Sequence, residues 1–241
     1  MPRSDGSGAE VPFQRYALYW APEHDSPLGA FGRSWLGHDA EPPAAISQRN
    51  DFGLGLDCIE RLTRAPRRYG FHATILAPFH LSADAAVDEL KARAERFASR
   101  RRPICIGRLG IRALGDFLAL TPTGSVQALT AFHTECAFAF DRFRAPLSKS
   151  DRTRRSQDQL SLSQRLMLAQ WGYPYMLSQY RFHLTLTGPL DAAELEPIRT
   201  RLADTLESIC QQRVTMESLS LFGDPGQGDT FRLIARYPLQ R

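Results

Sequence analysis

Along this 241-residue chain the spacing of hydrophobic and polar positions changes repeatedly, and each change marks an element. Arg15 to Trp20 reads as an early strand. Ser26-Pro27 is a good helix start, with Leu28, Phe31 and Trp35 following at helical intervals. From Ser82 to Arg101 the apolar positions Val87, Leu90, Ala94 and Phe97 keep a helical period, and Pro103 stands beyond the end. Ser125 is placed to cap a helix whose stripe runs Val126, Leu129, His133, Cys136, Phe140 and Phe143. Another helix is predicted from Ser161 to Trp171, with Gln164 at the capping-box position. Ile198, Leu202, Leu206 and Ile209 form the face of a last helix. Asp191 and Glu194 resemble a capping box for it, but Pro197 would then break the interior, so the helix is predicted to begin near Pro197. Two hairpins complete the pattern. Ile104 to Arg112 joins Phe117 to Thr121 through Leu114-Gly-Asp116, and Val214 to Phe222 joins Phe231 to Tyr237 through the turn-rich segment 223–229.

An internal repeat organises these elements. Tyr69-Gly-Phe-His-Ala-Thr-Ile-Leu-Ala-Pro-Phe79 and Tyr180-Arg-Phe-His-Leu-Thr-Leu-Thr-Gly-Pro-Leu190 share the frame Tyr-x-Phe-His-x-Thr-apolar-x-small-Pro-apolar. Their histidines lie 111 residues apart, close to half the chain. Each motif is followed by a helix and a hairpin, so each half reads as strand, helix, strand, strand. The polar, Arg-rich stretch Lys149 to Gln159 is predicted to link the halves. His24-Asp-Ser26 approximates the motif but lacks every flanking feature.

The motif suits phosphoryl chemistry. Strand side chains alternate, so His72 and Thr74 share one face while Phe71, Ala73 and Ile75 take the other. His183 and Thr185 relate in the same way to Phe182, Leu184 and Leu186. Two imidazoles facing one site make an acid–base pair, because near neutral pH one can be neutral while its partner is protonated. The threonine hydroxyls can donate to phosphoryl oxygens. Hydrolysis of a small cyclic phosphodiester needs this kit. Arg68 and Arg181 precede the histidines by an even number of positions. They read either as cations for a second phosphate or as solvated surface residues. Tyr19 is either a core or rim tyrosine or a ring for stacking on a sugar or base. His133, inside an apolar stripe, is expected to be a satisfied core histidine.

Composition narrows the setting. A hydrophobic fraction of 43% and a charged fraction of 23% are those of an ordinary globular protein. The net charge of +4 fits a phosphate-bearing ligand without demanding nucleic acid. Cys58, Cys105, Cys136 and Cys210 are scattered with no C-x-x-C pair, which reads as free, mostly buried thiols in a reducing cytoplasm. No apolar run is long enough to span a bilayer. No carboxylate, cysteine and histidine spacing suggests a catalytic metal, no cofactor is implied, and no G-x-x-x-x-G-K phosphate loop occurs. The expected organisation is a polar tail over 1–14 and one catalytic domain over 15–241. Its motif-bearing lobes cover about 66–122 and 178–238. A monomer acting on a small phosphorylated substrate, away from membranes, is expected.

Phe71-His-Ala-Thr-Ile75 and Phe182-His-Leu-Thr-Leu186 resemble the paired signatures of the 2H phosphoesterase superfamily. That resemblance implies a bilobal α+β fold, with two pseudo-twofold-related lobes, each an antiparallel sheet packed on helices, and a central active-site cleft. It implies metal-independent action on 2′,3′-cyclic phosphates and related diesters, with His72 and His183 as acid and base and Thr74 and Thr185 on the phosphate. Arg15-Tyr-Ala-Leu-Tyr-Trp-Ala-Pro22, Pro66-Arg-Arg-Tyr-Gly-Phe-His-Ala-Thr74, Phe143-Arg-Ala-Pro-Leu147 and Trp171-Gly-Tyr-Pro-Tyr175 are similar to its DUF1045 branch. Leu76 departs from the lysine that the branch implies. Genes of that branch often accompany phosphonate degradation, which implies a phosphoribosyl cyclic phosphate as substrate. Two rival readings stay open: a phosphodiesterase for RNA ends bearing 2′,3′-cyclic phosphate, and a nucleotide- or RNA-binding module without turnover.

Overall fold

The computed structural model describes residues 13–41, 52–148, 151 and 160–240. These form an α+β protein with six α-helices and two antiparallel sheets among the described residues. The expected linker lies outside the described residues except for Asp151, as does the expected tail except for Phe13 and Gln14. No helix among the described residues is long and apolar enough to cross a membrane.

The strands are β1 (Arg15–Trp20), β2 (Ala73–Phe79), β3 (Ile104–Gly107), β4 (Leu109–Leu114), β5 (Phe117–Pro122), β6 (Leu184–Thr185), β7 (Val214–Met216), β8 (Ser218–Asp224) and β9 (Arg232–Pro238). The helices are α1 (Pro27–Leu36), α2 (Leu56–Arg67), α3 (Val87–Ala98), α4 (Gln127–Phe140), α5 (Leu162–Trp171) and α6 (Ala192–Cys210).

Several helix ends follow their sequence signals. The Ser26 hydroxyl accepts the Gly29 amide at 3.0 Å, and Ser161 and Gln164 cap α5 reciprocally. The start of α6 is a correction. The helix begins at Ala192 and runs through Pro197, with the Glu194 carboxylate accepting the Asp191 amide at 3.2 Å. An interior proline costs about 3 kcal/mol. Burial of Ile198, Leu202 and Leu206 returns about 1.5–3 kcal/mol each, which outweighs that cost. Helix α2 was not expected from the pattern, although Ile59, Leu62 and Pro66 are buried at helical spacing.

The sheet order corrects the expected arrangement more deeply. In place of one sheet per half, seven strands form a single sheet in the order β4-β5-β6-β2-β1-β8-β9. The first hairpin, β4–β5, pairs with the second motif strand, β6, while the second hairpin joins β1 beside the first motif strand, β2. Helix α3 packs on β8 and β9, and α6 packs on β4 and β5, so each half's helix covers the other half's hairpin. The long strand expected over 104–112 is split at Gly107 (φ 83°), and β3 leaves to pair with β7 in a two-stranded sheet. With only two ladder residues β6 cannot anchor a sheet alone, and it is held between β5 and β2.

Strand β1 is buried on both faces, and its two faces belong to different cores. Tyr16, Leu18 and Trp20 join the main core, together with Ala73, Leu184 and the apolar sides of the helices. Ala17, Tyr19 and Ala21 join a smaller aromatic cluster with Phe222 and Phe231. His72 and Thr74 lie on that second side.

Candidate functional site

Ala73 and Leu184 are direct partners in the antiparallel ladder between β2 and β6. Continuing that register sets His72 opposite Thr185 and Thr74 opposite His183. Side chains directly opposite each other share a face at about 4.5–5.5 Å, and diagonal neighbours stand about 7–8 Å apart. The two histidines are such a diagonal pair. A local twofold at the Ala73–Leu184 pair therefore generates a crossed quartet of two imidazoles and two hydroxyls. The alternation is visible in burial: Phe71, Ala73, Ile75, Phe182, Leu184 and Leu186 are buried, whereas His72, Thr74, His183 and Thr185 are partly exposed. Both histidines immediately precede their strands rather than lying within them.

The rings are held in the same way. His72 Nδ1 lies 2.9 Å from the Gly70 carbonyl, and His183 Nδ1 lies 2.8 Å from the Arg181 carbonyl. A carbonyl can only accept, so Nδ1 carries the proton in both neutral rings and Nε2 keeps its lone pair. Nε2 of His72 is 3.3 Å from Thr74 Oγ1, whose hydroxyl donates to it. The expectation of one neutral and one protonated imidazole near pH 7 is corrected. Burial pushes the pKa of His72 down to about 4 against the opposing pull of the Gly70 hydrogen bond, and a proton on His183 would lower it further. His183 is also lowered, by burial first and with the Arg181 charge adding. Near pH 7 both rings are thus neutral, and an arriving anion would favour their protonation.

Two cavities flank the quartet, and their linings follow the crossed register. A cavity of about 400 Å³ takes His183 from one motif and Thr74 from the other, and is walled by Tyr173, Tyr175, Tyr180 and Arg181. A cavity of about 280 Å³ takes His72 and Thr185, with Tyr69, Gly188 and Pro189. Phe117 lines both. Among the described residues no three His, Cys, Asp or Glu side chains converge as a metal site.

The remaining expected site residues separate. Arg181 precedes the strand yet lines the larger cavity, where it has no side-chain hydrogen bond or ion pair among the described residues. Arg68 sits at the end of α2 rather than on a strand, so its even offset from His72 does not bring it to the cleft face. Its guanidinium is 3.4 Å from the buried Asp224 carboxylate and donates to the Asp229 carbonyl at 3.0 Å. Tyr19 is 1% exposed and stacks on His72 with centroids 3.7 Å apart, so its ring supports the histidine from beneath instead of facing a ligand. His133 is a satisfied core residue, as expected: Nδ1 donates to the Ile75 carbonyl and Nε2 accepts the Leu177 amide. Leu76 is buried in the main core.

Sequence reasoning gave no site role to Tyr69, Phe117, Tyr173, Tyr175 or Tyr180. Tyr69 and Tyr180 could have been found, because they hold the same place in the repeat. The Tyr180 hydroxyl donates to the Thr74 carbonyl at 3.0 Å and ties the second motif to the first. Phe117 has no such signal; the register alone brings it between the cavities.

Residues 74–232 match the model of a family described as "Protein of unknown function (DUF1045)". A protein of Janthinobacterium sp. (strain Marseille), named Ribose 1,5-bisphosphate phosphokinase PhnN, is 38% identical over 186 residues, which are 77% of this chain and 41% of that protein. A protein of the same name from Laribacter hongkongensis (strain HLHK9) is 34% identical over 221 residues, 91% of this chain and 50% of that protein. The chain thus spans half or less of the length of these relatives. Their name is that of a kinase. It conflicts with the expected hydrolysis of a cyclic phosphodiester, on a sugar or on an RNA end.

Proposed function

The chain belongs to the DUF1045 family, and on that footing we propose that it is an enzyme of phosphonate metabolism that binds a phosphorylated ribose by one phosphoryl group. The observation that carries this reading is the Ala73–Leu184 register, which brings both histidines and both threonines to one patch. The name of the relatives supports the sugar: it specifies ribose 1,5-bisphosphate. The sequence has no G-x-x-x-x-G-K loop for a nucleoside triphosphate, and the reading places only the ribose phosphate in the cleft.

Within it, Thr185 donates a hydrogen bond to an oxygen of the bound phosphoryl group, and the Thr74 hydroxyl turns from His72 Nε2 to do the same, which frees that nitrogen. The Nε2 lone pairs of His72 and His183 face the same group and can exchange a proton with an oxygen on that phosphorus. The duplicated motif supports a two-lobed architecture of the 2H type, although each lobe draws elements from both halves. One comprises β4, β5, β6 and α6, and the other β1, β2, β8, β9 and α3.

Calorimetric titration of the full chain with ribose 5-phosphate and with ribose 1,5-bisphosphate tests the reading. The expected outcome is binding with proton uptake at pH 7, because neutral imidazoles gain protons beside an anion. His72→Ala and His183→Ala should each weaken binding about tenfold or more, the loss of one charge-assisted hydrogen bond. Unchanged affinity in both variants refutes it.

A further inference from the structure

The repeat is nearly symmetric around its histidines, and it breaks at the residue two positions before each of them. In the first motif that residue is Gly70, at φ 72°, where a side chain would be strained and an added Cβ would lie 3.1 Å from Ala40. In the second it is Arg181. The backbone carbonyls of the two residues do the same work, each accepting Nδ1–H of its histidine. The side chain is therefore additional to what holding the ring requires. It adds a cation to an exposed residue of the larger cavity's lining, close enough to act on the charge of His183 and without an ion-pair partner among the described residues. The first half offers no counterpart in the smaller cavity, since Arg68 is engaged by Asp224 and the Asp229 carbonyl.

The walls of the larger cavity add a second, independent indication. Tyr173, Tyr175, Tyr180 and Phe117 line a volume of about 400 Å³, within the range of small-molecule sites. Aromatic residues interspersed with polar ones suit a sugar ring, whose C–H face is apolar and whose hydroxyls are polar. A cation without an acidic partner at the edge of such a cavity suits an anion carried by the same ligand.

We propose that Arg181 binds a second phosphate, so that the ligand is a sugar phosphorylated at two positions, one phosphate on the histidine–threonine quartet and the other at Arg181 in the lining of the larger cavity. This rests on the reading of the quartet as a phosphoryl site. It assigns the larger cavity to the sugar and gives the cleft a direction, with the second phosphate on the His183 side.

The test is calorimetry on the full chain with ribose 5-phosphate and ribose 1,5-bisphosphate, using wild type, Arg181→Gln, Arg181→Lys and His72→Ala. Wild type should prefer the bisphosphate by about tenfold or more. Arg181→Gln should bring that ratio close to one, and Arg181→Lys should restore part of it as a point charge. A wild-type ratio near one, or a preference that survives in Arg181→Gln, overturns the proposal. His72→Ala separates the two readings. If it weakens both ligands while Arg181→Gln leaves their ratio intact, the quartet stands and the second subsite falls. If neither ligand binds, both fall.

Discussion

Around His72 the first motif is walled by rings. Tyr19 stacks on the imidazole at 3.7 Å, Tyr69 and Phe222 stand 6.4 Å away, and the adjoining cavity is the smaller one. Around His183 the second motif has fewer rings against it. Its nearest ring is Phe117, tilted at 5.8 Å, its strand has only two ladder residues, and a guanidinium stands beside it. Both rings nevertheless make the same Nδ1 hydrogen bond to the carbonyl two residues upstream. Duplication has preserved how the histidines are oriented and has let their surroundings diverge. Orientation is set locally by the backbone, whereas the surroundings come from other strands, which is where two copies in one chain can differ.

The largest effect that could break this comparison is on stability. Tyr19 is fully enclosed and touches His72, Phe222 and Phe231, so Tyr19→Ala should cost about 3–5 kcal/mol in chemical denaturation. Phe117→Ala, at a partly exposed ring lining both cavities, should cost about half of that and act mainly on ligand affinity. Equal losses at the two positions would mean that the two motifs are supported alike.

Acid should expose the difference next. An unfolded histidine gains its proton near pH 6.5, whereas His72 in the fold resists protonation down to about 4. Between these values the unfolded state binds more protons, so acid favours it. The contribution of His72 is complete above about pH 6.5 and is lost as pH falls towards 4, on the order of 3 kcal/mol at most. His72→Asn should flatten that acid limb in urea titrations run at pH 7 and pH 4.5. An acid slope unchanged by the substitution would show that the enclosure of His72 does not oppose its charge.

The local half of this site was legible in the sequence. His-x-Thr fixes which side chains share a face, and Ser26, Ser161 and Gln164 announced their helix ends. Burial on alternating positions of Phe71 to Ile75 repeats what the pattern implied. Pairing across the chain was not legible. Nothing in β5 says that Ala119 will face Thr185 of the other half, and the repeat itself suggested two self-contained sheets. Two errors share one physical origin, the context that overrides a local rule. Pro197 stays inside α6 because three buried apolar residues hold the helix together. The even offset of Arg68 from His72 would bring it to the cleft face only if the strand extended that far, and Pro66-Arg67 closes a helix just before it.

The smallest effect concerns Arg68, and it sharpens the contrast between the arginines. Asp224 is 1% exposed; burial pushes its carboxyl up, but the Gly226 amide, Arg15 and Arg68 outweigh this and hold it below the usual range. Arg15 makes the closer contact, through two guanidinium nitrogens, and Gly226 donates at 2.9 Å. Removing Arg68 alone therefore leaves the carboxylate paired, and Arg68→Gln should cost about 1 kcal/mol or less. It should also leave the preference for a bisphosphate over a monophosphate where it was, since its guanidinium serves Asp224 and the loop before β9. A collapse of that preference in Arg68→Gln would mean that the first motif also supplies a cation to the ligand. The cleft would then be symmetric in charge as well as in its histidines, and the break at Gly70 and Arg181 would have no bearing on what it binds.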